Sequence, residues 1–188
     1  MDNKVIIFSA PSGSGKTTIV RHLLGCFPSL CFSVSATSRS PRGSEVDGVD
    51  YHFLSGEEFS RRVQGGEFIE WEEVYSGTCY GTLRSEVEAI WSRGGVVVFD
   101  VDVVGGLRLK EIMGDKALSM FIMPPSVESL RSRLEGRGTD SAEAIERRVG
   151  KATEELAYSS RFDKVVVNDI LEEALAESED IVSAFLAC

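Results

Sequence analysis

One stretch of ten residues, 9–18, constrains the fold of this chain more than any other part of it. It reads Ser-Ala-Pro-Ser-Gly-Ser-Gly-Lys-Thr-Thr. Residues 5–8 before it are apolar and rich in β-branched side chains, which is typical of a strand buried on both faces. The apolar residues after it, from Ile19 to Leu24, have helical spacing. We therefore expect a glycine-rich turn that leads from a buried strand into the N-terminus of a helix.

Such a turn is a natural anion site. It directs several backbone N–H groups at one point, where the helix dipole adds partial positive charge, and this suits a polyphosphate. Lys16 would reach the β- and γ-phosphates, and the Thr17 hydroxyl would be a ligand of a bound Mg²⁺. The pattern usually begins with glycine, and Ala10 holds that place here. The alternative is a glycine turn that arises by chance.

Composition limits the class of partner. The chain has 188 residues, of which 43% are hydrophobic, enough for one domain with a real core. Thirty acidic and twenty basic residues give a net charge of −10, which argues against a nucleic-acid partner. Small anions remain possible where arginines cluster. Because neither a leader sequence nor a membrane-length apolar run is visible, a cytoplasmic protein without membrane contact is predicted.

The cysteines are predicted to be free or buried thiols. Cys26, Cys31, Cys79 and Cys188 show no Cys-x-x-Cys spacing, and we expect no histidine near them, since the chain has only His22 and His52.

A second anion site is suggested by residues 35–43, which follow a strand predicted at 30–34. Arg39 and Arg42 flank Pro41, so they belong to a loop that holds two guanidinium groups near each other. The alternative is a solvated loop. Strands are expected at 48–54, 67–75 and 78–82, with a helix that starts at the Ser55–Glu58 capping box. Glu70 is either exposed on its strand, which its residue type favours, or bound to a donor-rich ligand.

Two carboxylates end the most hydrophobic strand, predicted at 96–102. Asp100 and Asp102 are two residues apart, so both should point to one side of that strand. Ligands bind at the carboxyl edge of parallel sheets. One aspartate could therefore serve a metal ion and the other a second substrate.

The segment 131–151 carries six basic residues. A break at 136–139 interrupts its helices, and Asp140 with Glu143 would restart the second one as a capping box. The segment is either a mobile lid that carries arginines or a helical hairpin with a mixed-charge face. Further strands are expected at 117–123 and 162–168, and the second is followed by a helix capped by Asp169 with Glu172.

Taken together, these motifs resemble the guanylate kinase family over essentially the whole chain. The most specific ones are Ser35-x-x-x-Arg39-x-Pro41-Arg42, Gly48-x-Asp50-Tyr51, Glu67-Phe68-Ile69-Glu70, Tyr80-Gly81-Thr82, Asp100-Val101-Asp102, Glu135-Gly136-Arg137-Gly138-Thr139 and Val167-Asn168-Asp169. The resemblance implies a P-loop NTPase-type three-layer α/β fold with a parallel sheet. Its core would comprise 1–35, 83–135 and 149–188, with a GMP-binding insert at 36–82 and a lid at 136–148.

The implied activity is phosphoryl transfer from ATP, with Mg²⁺, to GMP or dGMP, by a monomer or homodimer. Arg39, Arg42, Tyr51 and Tyr80 would hold the GMP phosphate, and Ser35, Glu70, Thr82 and Asp102 would surround the guanine. ATP would contact Ala10, Pro11, Ser12, Gly13, Ser14, Gly15, Lys16, Thr17, Thr18 and Asn168. Thr17 and Asp100 would serve the metal, and Lys16, Arg39, Asp100, Arg133, Arg137 and Arg148 would assist the transfer.

Chemistry independently supports the guanine assignment, because guanine presents N1–H and N2–H₂ donors side by side, and carboxylates accept from both. The alternatives are a guanylate-kinase-like binding module and a kinase of the same fold for another phosphorylated acceptor. A GTPase is disfavoured because no Asn-Lys-x-Asp motif is present.

Overall fold

The computed structural model describes residues 3–75, 77–136 and 141–188. Nine strands and seven α-helices follow one another in these ranges. The strands are β1 (Val5–Ser9), β2 (Leu30–Phe32), β3 (Ala36–Thr37), β4 (His52–Phe53), β5 (Phe68–Tyr75), β6 (Thr78–Leu83), β7 (Val96–Asp100), β8 (Ala117–Met123) and β9 (Lys164–Val167). The helices are α1 (Lys16–Cys26), α2 (Gly56–Gln64), α3 (Arg84–Ser92), α4 (Val103–Met113), α5 (Val127–Glu135), α6 (Ala142–Leu156) and α7 (Leu171–Ala187).

A five-stranded parallel sheet forms the centre of the molecule, in the order β2-β7-β1-β8-β9. Strand β1 is fully buried because successive side chains enter opposite layers. Ile6 and Phe8 pack with side chains of α1 and α7, whereas Val5 and Ile7 pack with those of α3 and α4. The predicted three-layer α/β fold is confirmed.

A second, four-stranded sheet, β4-β3-β6-β5, lies within the predicted insert. Strands β5 and β6 are antiparallel, as are β3 and β6, while β3 and β4 run parallel. The stacked rings of Phe59 and Phe68, 4.5 Å apart, anchor α2 on this sheet. The Ser55 hydroxyl accepts from the Glu58 N–H, so the predicted cap of α2 is confirmed.

Several predicted boundaries are wrong. The strand expected at 48–54 is reduced to β4, because residues 46–51 turn around Gly48, whose φ is +75°. The two-residue strand β3 falls where a loop was expected, because Ala36 and Thr37 pair with both β4 and β6.

The predicted N-caps of two helices also differ from the structure. Helix α7 begins after Ile170 without a side-chain cap, so Asp169 does not cap it. Ser141 caps α6; Asp140 lies outside the described residues.

Helices α5 and α6 pack through an apolar cluster of Leu130, Leu134, Ile145, Val149 and Ala152. An ion pair between Arg131 and Glu146 also joins them. In the described part of the segment, α5 and α6 are thus joined by apolar packing and by mixed charge. Over the described ranges, no helix is both long enough and apolar enough to span a membrane.

Candidate active site

A cavity of about 520 Å³ opens at the carboxyl edge of the parallel sheet. Residues 10–18, the P-loop, line one side of it, and strands β5 and β6 of the second sheet line another side. The carboxyl end of β7 and side chains of α6 complete the wall. The cavity therefore brings together segments that are far apart in the sequence.

The P-loop has the backbone geometry that its glycines predict. Gly13 and Gly15 have φ angles of +98° and +92°, which side-chain-bearing residues rarely adopt. Gly15 is the N-cap of α1, and no side chain caps that helix end. Its first N–H groups can therefore serve an anion. Ala10 is buried at the base of the loop.

Lys16 and Asp100 meet at the inner end of the cavity. The Lys16 ammonium forms an ion pair with the Asp100 carboxylate and donates to the Val101 carbonyl at 3.0 Å. Thr17 also lines the cavity. A hydroxyl and a carboxylate are hard oxygen donors of the kind that Mg²⁺ prefers, so the predicted metal residues fit that ion.

Asn168 and Arg133 brace the P-loop from behind. The Asn168 side-chain amide donates to the Ser14 carbonyl at 2.7 Å, and Arg133 donates to the Asn168 carbonyl at 2.8 Å and to the Ser14 carbonyl at 3.4 Å. A Cβ on Gly15 would lie 2.2 Å from the Asn168 nitrogen. Position 15 therefore requires glycine for two reasons: a side chain would collide with the Asn168 amide, and the backbone φ angle is positive.

Arg148 reaches the same loop from α6. It lines the cavity and donates to the Ser12 hydroxyl at 2.8 Å. Arg137, the other lid arginine of the sequence prediction, lies outside the described residues.

Glu70 and Asp102 stand close together on the insert side. Glu70 is only 8% exposed, and the Thr82 hydroxyl donates to it at 2.9 Å. Both carboxylates lie within 4 Å of the position that a Cβ on Gly105 would take. The pKa of Glu70 is raised to about 7, chiefly by burial; the Thr82 hydrogen bond opposes this rise and the charge of Asp102 adds to it. The expectation from residue type alone, an exposed Glu70, is wrong.

The prediction that Asp100 and Asp102 share a strand is wrong. Strand β7 ends at Asp100, and Asp102 is the N-cap of α4, where its carboxylate accepts from the Gly105 N–H at 2.9 Å. The capping bond fixes the position of this carboxylate at the cavity wall, and both aspartates still line the cavity.

Arg39 lies in a cage of aromatic and acidic groups. Its guanidinium is 5.0 Å from the centroid of the Tyr51 ring, and its Nε donates to the Tyr80 hydroxyl at 3.2 Å. Both terminal nitrogens donate to Glu45, at 2.6 and 2.7 Å. These hydrogen bonds lower the pKa of Glu45 to about 2, so its carboxylate is ionised at neutral pH.

The predicted GMP residues fall into three groups. Ser35, Tyr51, Glu70, Tyr80 and Asp102 line the cavity. Thr82 and Arg39 do not line the cavity themselves but donate hydrogen bonds to residues that do, Thr82 to Glu70 and Arg39 to Tyr80. Arg42 is exposed, and its backbone N–H donates to Glu45 at 2.7 Å.

The sequence prediction missed Glu45, which binds Arg39, and three charged residues that line the cavity: Glu72, Lys151 and Glu155. Burial raises the pKa of both these cavity glutamates. Glu72 carried a usable signal, because it is two residues from Glu70 on the same face of β5. Lys151 and Glu155 had the four-residue helical spacing of an ion pair, and their charged atoms are 3.7 Å apart.

The P-loop, Arg148 and the carboxylates of Glu70 and Asp102 all line one cavity. This is the arrangement of a P-loop nucleotide kinase, in which a phosphate donor and a nucleotide acceptor meet. Comparison with known proteins defines the family. The family model described as guanylate kinase matches residues 2–185. A guanylate kinase of Bacteroides thetaiotaomicron is 54% identical over 99% of this chain and 91% of its own length. The chain belongs to the guanylate kinase family.

Two further comparisons agree with this assignment. A guanylate kinase of Porphyromonas gingivalis is 52% identical and is covered over 98% of both chains. The crystal structure of guanylate kinase from Anaplasma phagocytophilum matches with a TM-score of 0.76 at 32% identity. That match covers 96% of this chain and 85% of the other.

Proposed function

We propose that this chain carries out the reaction of its family, the ATP-dependent phosphorylation of GMP, and of dGMP, to the diphosphates. The observation that carries the proposal is that the P-loop, Glu70 and Asp102 all line one cavity. One side suits a polyphosphate donor and the other suits a base with adjacent N–H donors. The reaction would serve purine nucleotide metabolism in the cytoplasm.

Guanine selection is assigned to Glu70 and Asp102. Ionised carboxylates accept hydrogen bonds from guanine N1–H and N2–H₂, whereas adenine N1 is itself an acceptor and would face them unpaired. Thr82 fixes the orientation of Glu70 through its 2.9 Å hydrogen bond. Ser35, which also lines the cavity, is assigned to the same base.

The GMP phosphate is assigned to the region of Tyr51 and Tyr80, with Arg39 and Arg42 as the cationic groups. The two tyrosine rings meet edge to face, with centroids 5.9 Å apart, beside the Arg39 guanidinium. Of the two terminal nitrogens, Nη1 donates to the Ser40 carbonyl at 3.0 Å as well as to Glu45, whereas Nη2 has a second hydrogen beyond the one that bonds Glu45. That hydrogen and the tyrosine hydroxyls can donate to phosphate oxygens.

On the donor side, the P-loop N–H groups and Lys16 would bind the ATP phosphates. Thr17 and Asp100 would hold Mg²⁺ or its waters, and that ion would neutralise charge on the β- and γ-phosphates. The present Lys16–Asp100 ion pair would open so that Lys16 can turn to the phosphates. Asn168 and Arg133 are assigned to holding the loop in shape.

The transfer itself requires positioning and charge stabilisation. The attacking group is an oxygen of the GMP phosphate, which is already ionised at neutral pH, so a general base is unnecessary. In-line attack would move the γ-phosphoryl group from ATP to that oxygen. Arg148, on the cavity wall, would stabilise charge on the moving group, and Arg137 remains a predicted second donor.

Transfer of label tests the proposal. ATP labelled in its γ-phosphoryl group is incubated with GMP and Mg²⁺, and the products are separated. We expect label in GDP, with at least about a 10²-fold loss in Lys16→Met, which removes the P-loop cation. Lys116→Met, at an exposed lysine, is the matched control and should retain the wild-type rate.

Three results would contradict the proposal. Label released only as inorganic phosphate would indicate an NTPase. GMP binding without any turnover would favour the binding module. Label found on a different phosphorylated acceptor, and not on GMP, would indicate the other kinase.

A further inference from the structure

Three metal-binding types of side chain converge where α1 ends beside α7. His22 and Cys26 are four residues apart on α1 and therefore lie on one helix face. Glu179 comes from α7. The His22 Nε2 atom is 2.6 Å from a Glu179 carboxylate oxygen and 3.4 Å from the Cys26 sulfur. All three ligand atoms lie within 4.8 Å of one another.

The geometry does not suit a catalytic relay. A Cys–His–Glu relay needs the thiol and the carboxylate on opposite ring nitrogens, so that a proton can pass across the imidazole. Here both groups face the same nitrogen, Nε2. Convergence of a sulfur, a nitrogen and an oxygen on one point is what a shared cation requires.

We propose that His22, Cys26 and Glu179 form a zinc-binding site, with water as the fourth ligand. Imidazole, thiolate and carboxylate are the ligand types of Zn²⁺. With bond lengths of about 2.0–2.3 Å, tetrahedral ligand atoms lie roughly 3.3–3.6 Å apart. The sulfur-to-nitrogen distance of 3.4 Å already matches, and a modest turn of the Glu179 side chain would lengthen the shorter contact. This corrects the prediction that the cysteines have no histidine nearby; Cys26 is a free thiol.

The site is separate from the P-loop. Cys26 is ten residues beyond Lys16 along α1, which corresponds to roughly 15 Å of helix. An ion there would not touch the transferring phosphoryl group. It would instead join the helix that follows the P-loop to the last helix of the chain. These helices already share an apolar interface that includes Leu23 and Val182. The ion should therefore stabilise the fold independently of the proposed reaction.

Zinc titration of the full chain tests the site. The protein is stripped with a chelator, freed of nucleotide, and titrated with Zn²⁺ against a chromophoric competitor in excess Mg²⁺, which prefers oxygen ligands. We expect one zinc ion per chain, and at least about tenfold weaker binding in Cys26→Ser, His22→Gln and Glu179→Gln. The matched controls Cys188→Ser, His52→Gln and Glu177→Gln should bind as the wild type does.

Two further readouts separate a true site from loose thiol binding. Co²⁺ in place of zinc should give a thiolate-to-cobalt charge-transfer band that is absent in Cys26→Ser. Zinc should raise the melting temperature of the wild type and leave that of Cys26→Ser unchanged. Cys26 is exposed and serine is nearly isosteric, so this variant should fold, which circular dichroism verifies.

Failure of the wild type to bind zinc, or wild-type affinity in all three ligand variants, would overturn the proposal. So would a cobalt band that persists in Cys26→Ser. Should the serine variant be unfolded, His22→Gln and Glu179→Gln decide the same question. Activity with GMP is a separate measurement, so this site can fail while the proposed reaction stands.

Discussion

Glu70 is the residue on which the proposed recognition of guanine depends most directly. Its carboxylate is buried, and burial raises its pKa to about 7. In the free protein it is therefore partly protonated near neutral pH. A protonated carboxyl group has lost one of its acceptor positions, so guanine should bind best to the ionised form.

The first prediction is a pH dependence of GMP use. As pH falls from 8 to 6, Glu70 gains a proton, and kcat/KM for GMP should fall by about tenfold for a pKa near 7. The measurement is a steady-state pH profile. The GMP phosphate titrates in the same range, so Glu70→Gln serves as the reference. The pH profile of Glu70→Gln should keep the titration of the GMP phosphate and lose that of Glu70. Identical pH profiles of the wild type and Glu70→Gln would remove Glu70 from the site.

Glu45 is a second residue with a specific role, because it holds the Arg39 guanidinium with two short hydrogen bonds. It also accepts from the Arg42 backbone at 2.7 Å. One carboxylate thus positions both parts of the predicted phosphate-binding loop. Two roles are conceivable: Glu45 could prepare Arg39 for the phosphate, or compete with the phosphate for it.

The second prediction is that Glu45 prepares the site. Glu45→Gln removes the charge from this pair, so Arg39 should lose its fixed orientation and the KM for GMP should rise about tenfold. The KM for ATP should stay near its wild-type value. Steady-state kinetics with each substrate varied provide the test, with Glu57→Gln on α2 as the matched control. A lower KM for GMP would show that Glu45 competes with the phosphate.

Among the elements, the P-loop depends on support from β9 and α5. Asn168 follows β9 and donates to Ser14, and Arg133 on α5 contacts both of them. The loop carries two glycines in left-handed conformations, so its shape is not favoured by the backbone alone. These outside contacts fix it.

The third prediction concerns this support. Asn168→Ala leaves a buried carbonyl without its 2.7 Å donor, which should cost about 1–3 kcal/mol of stability. The KM for ATP should rise and the KM for GMP should not. Thermal unfolding and two-substrate kinetics measure both effects. An unchanged melting temperature together with altered discrimination between ATP and GTP as donor would instead assign Asn168 to the adenine.

The helices and strands also show which parts of the fold can be predicted from local sequence patterns. The strands of the core sheet and the P-loop were predicted because apolar runs and glycine spacing are local signals. Strand β3 was missed because its two residues are held by partners more than ten residues away. The strand expected to end at Asp102 stops at Asp100, because Asp102 instead caps α4 through Gly105. The last helix begins without the predicted Asp169 cap.

On the scale of the whole molecule, the site is an assembly of distant segments. Lys16 meets Asp100, Arg148 meets Ser12, and the insert supplies Glu70. Residue types and the family resemblance named most of these participants. They did not reveal which of them touch, as in the Arg39–Glu45 pair, because such contacts depend on how the elements pack. In a chain of net charge −10, such local cation clusters are what allow nucleotides to bind.

The most direct test of the central claim is the ratio of kcat/KM for GMP to that for AMP, measured at pH 8 in the wild type and Glu70→Gln. Because adenine would leave the carboxylates of Glu70 and Asp102 unpaired, we predict a wild-type ratio on the order of 10⁴. The ratio should fall by at least about 10²-fold in Glu70→Gln, and Glu88→Gln, at an exposed site on α3, should keep the wild-type value. A wild-type ratio near one, or an unchanged ratio in Glu70→Gln, would contradict the account.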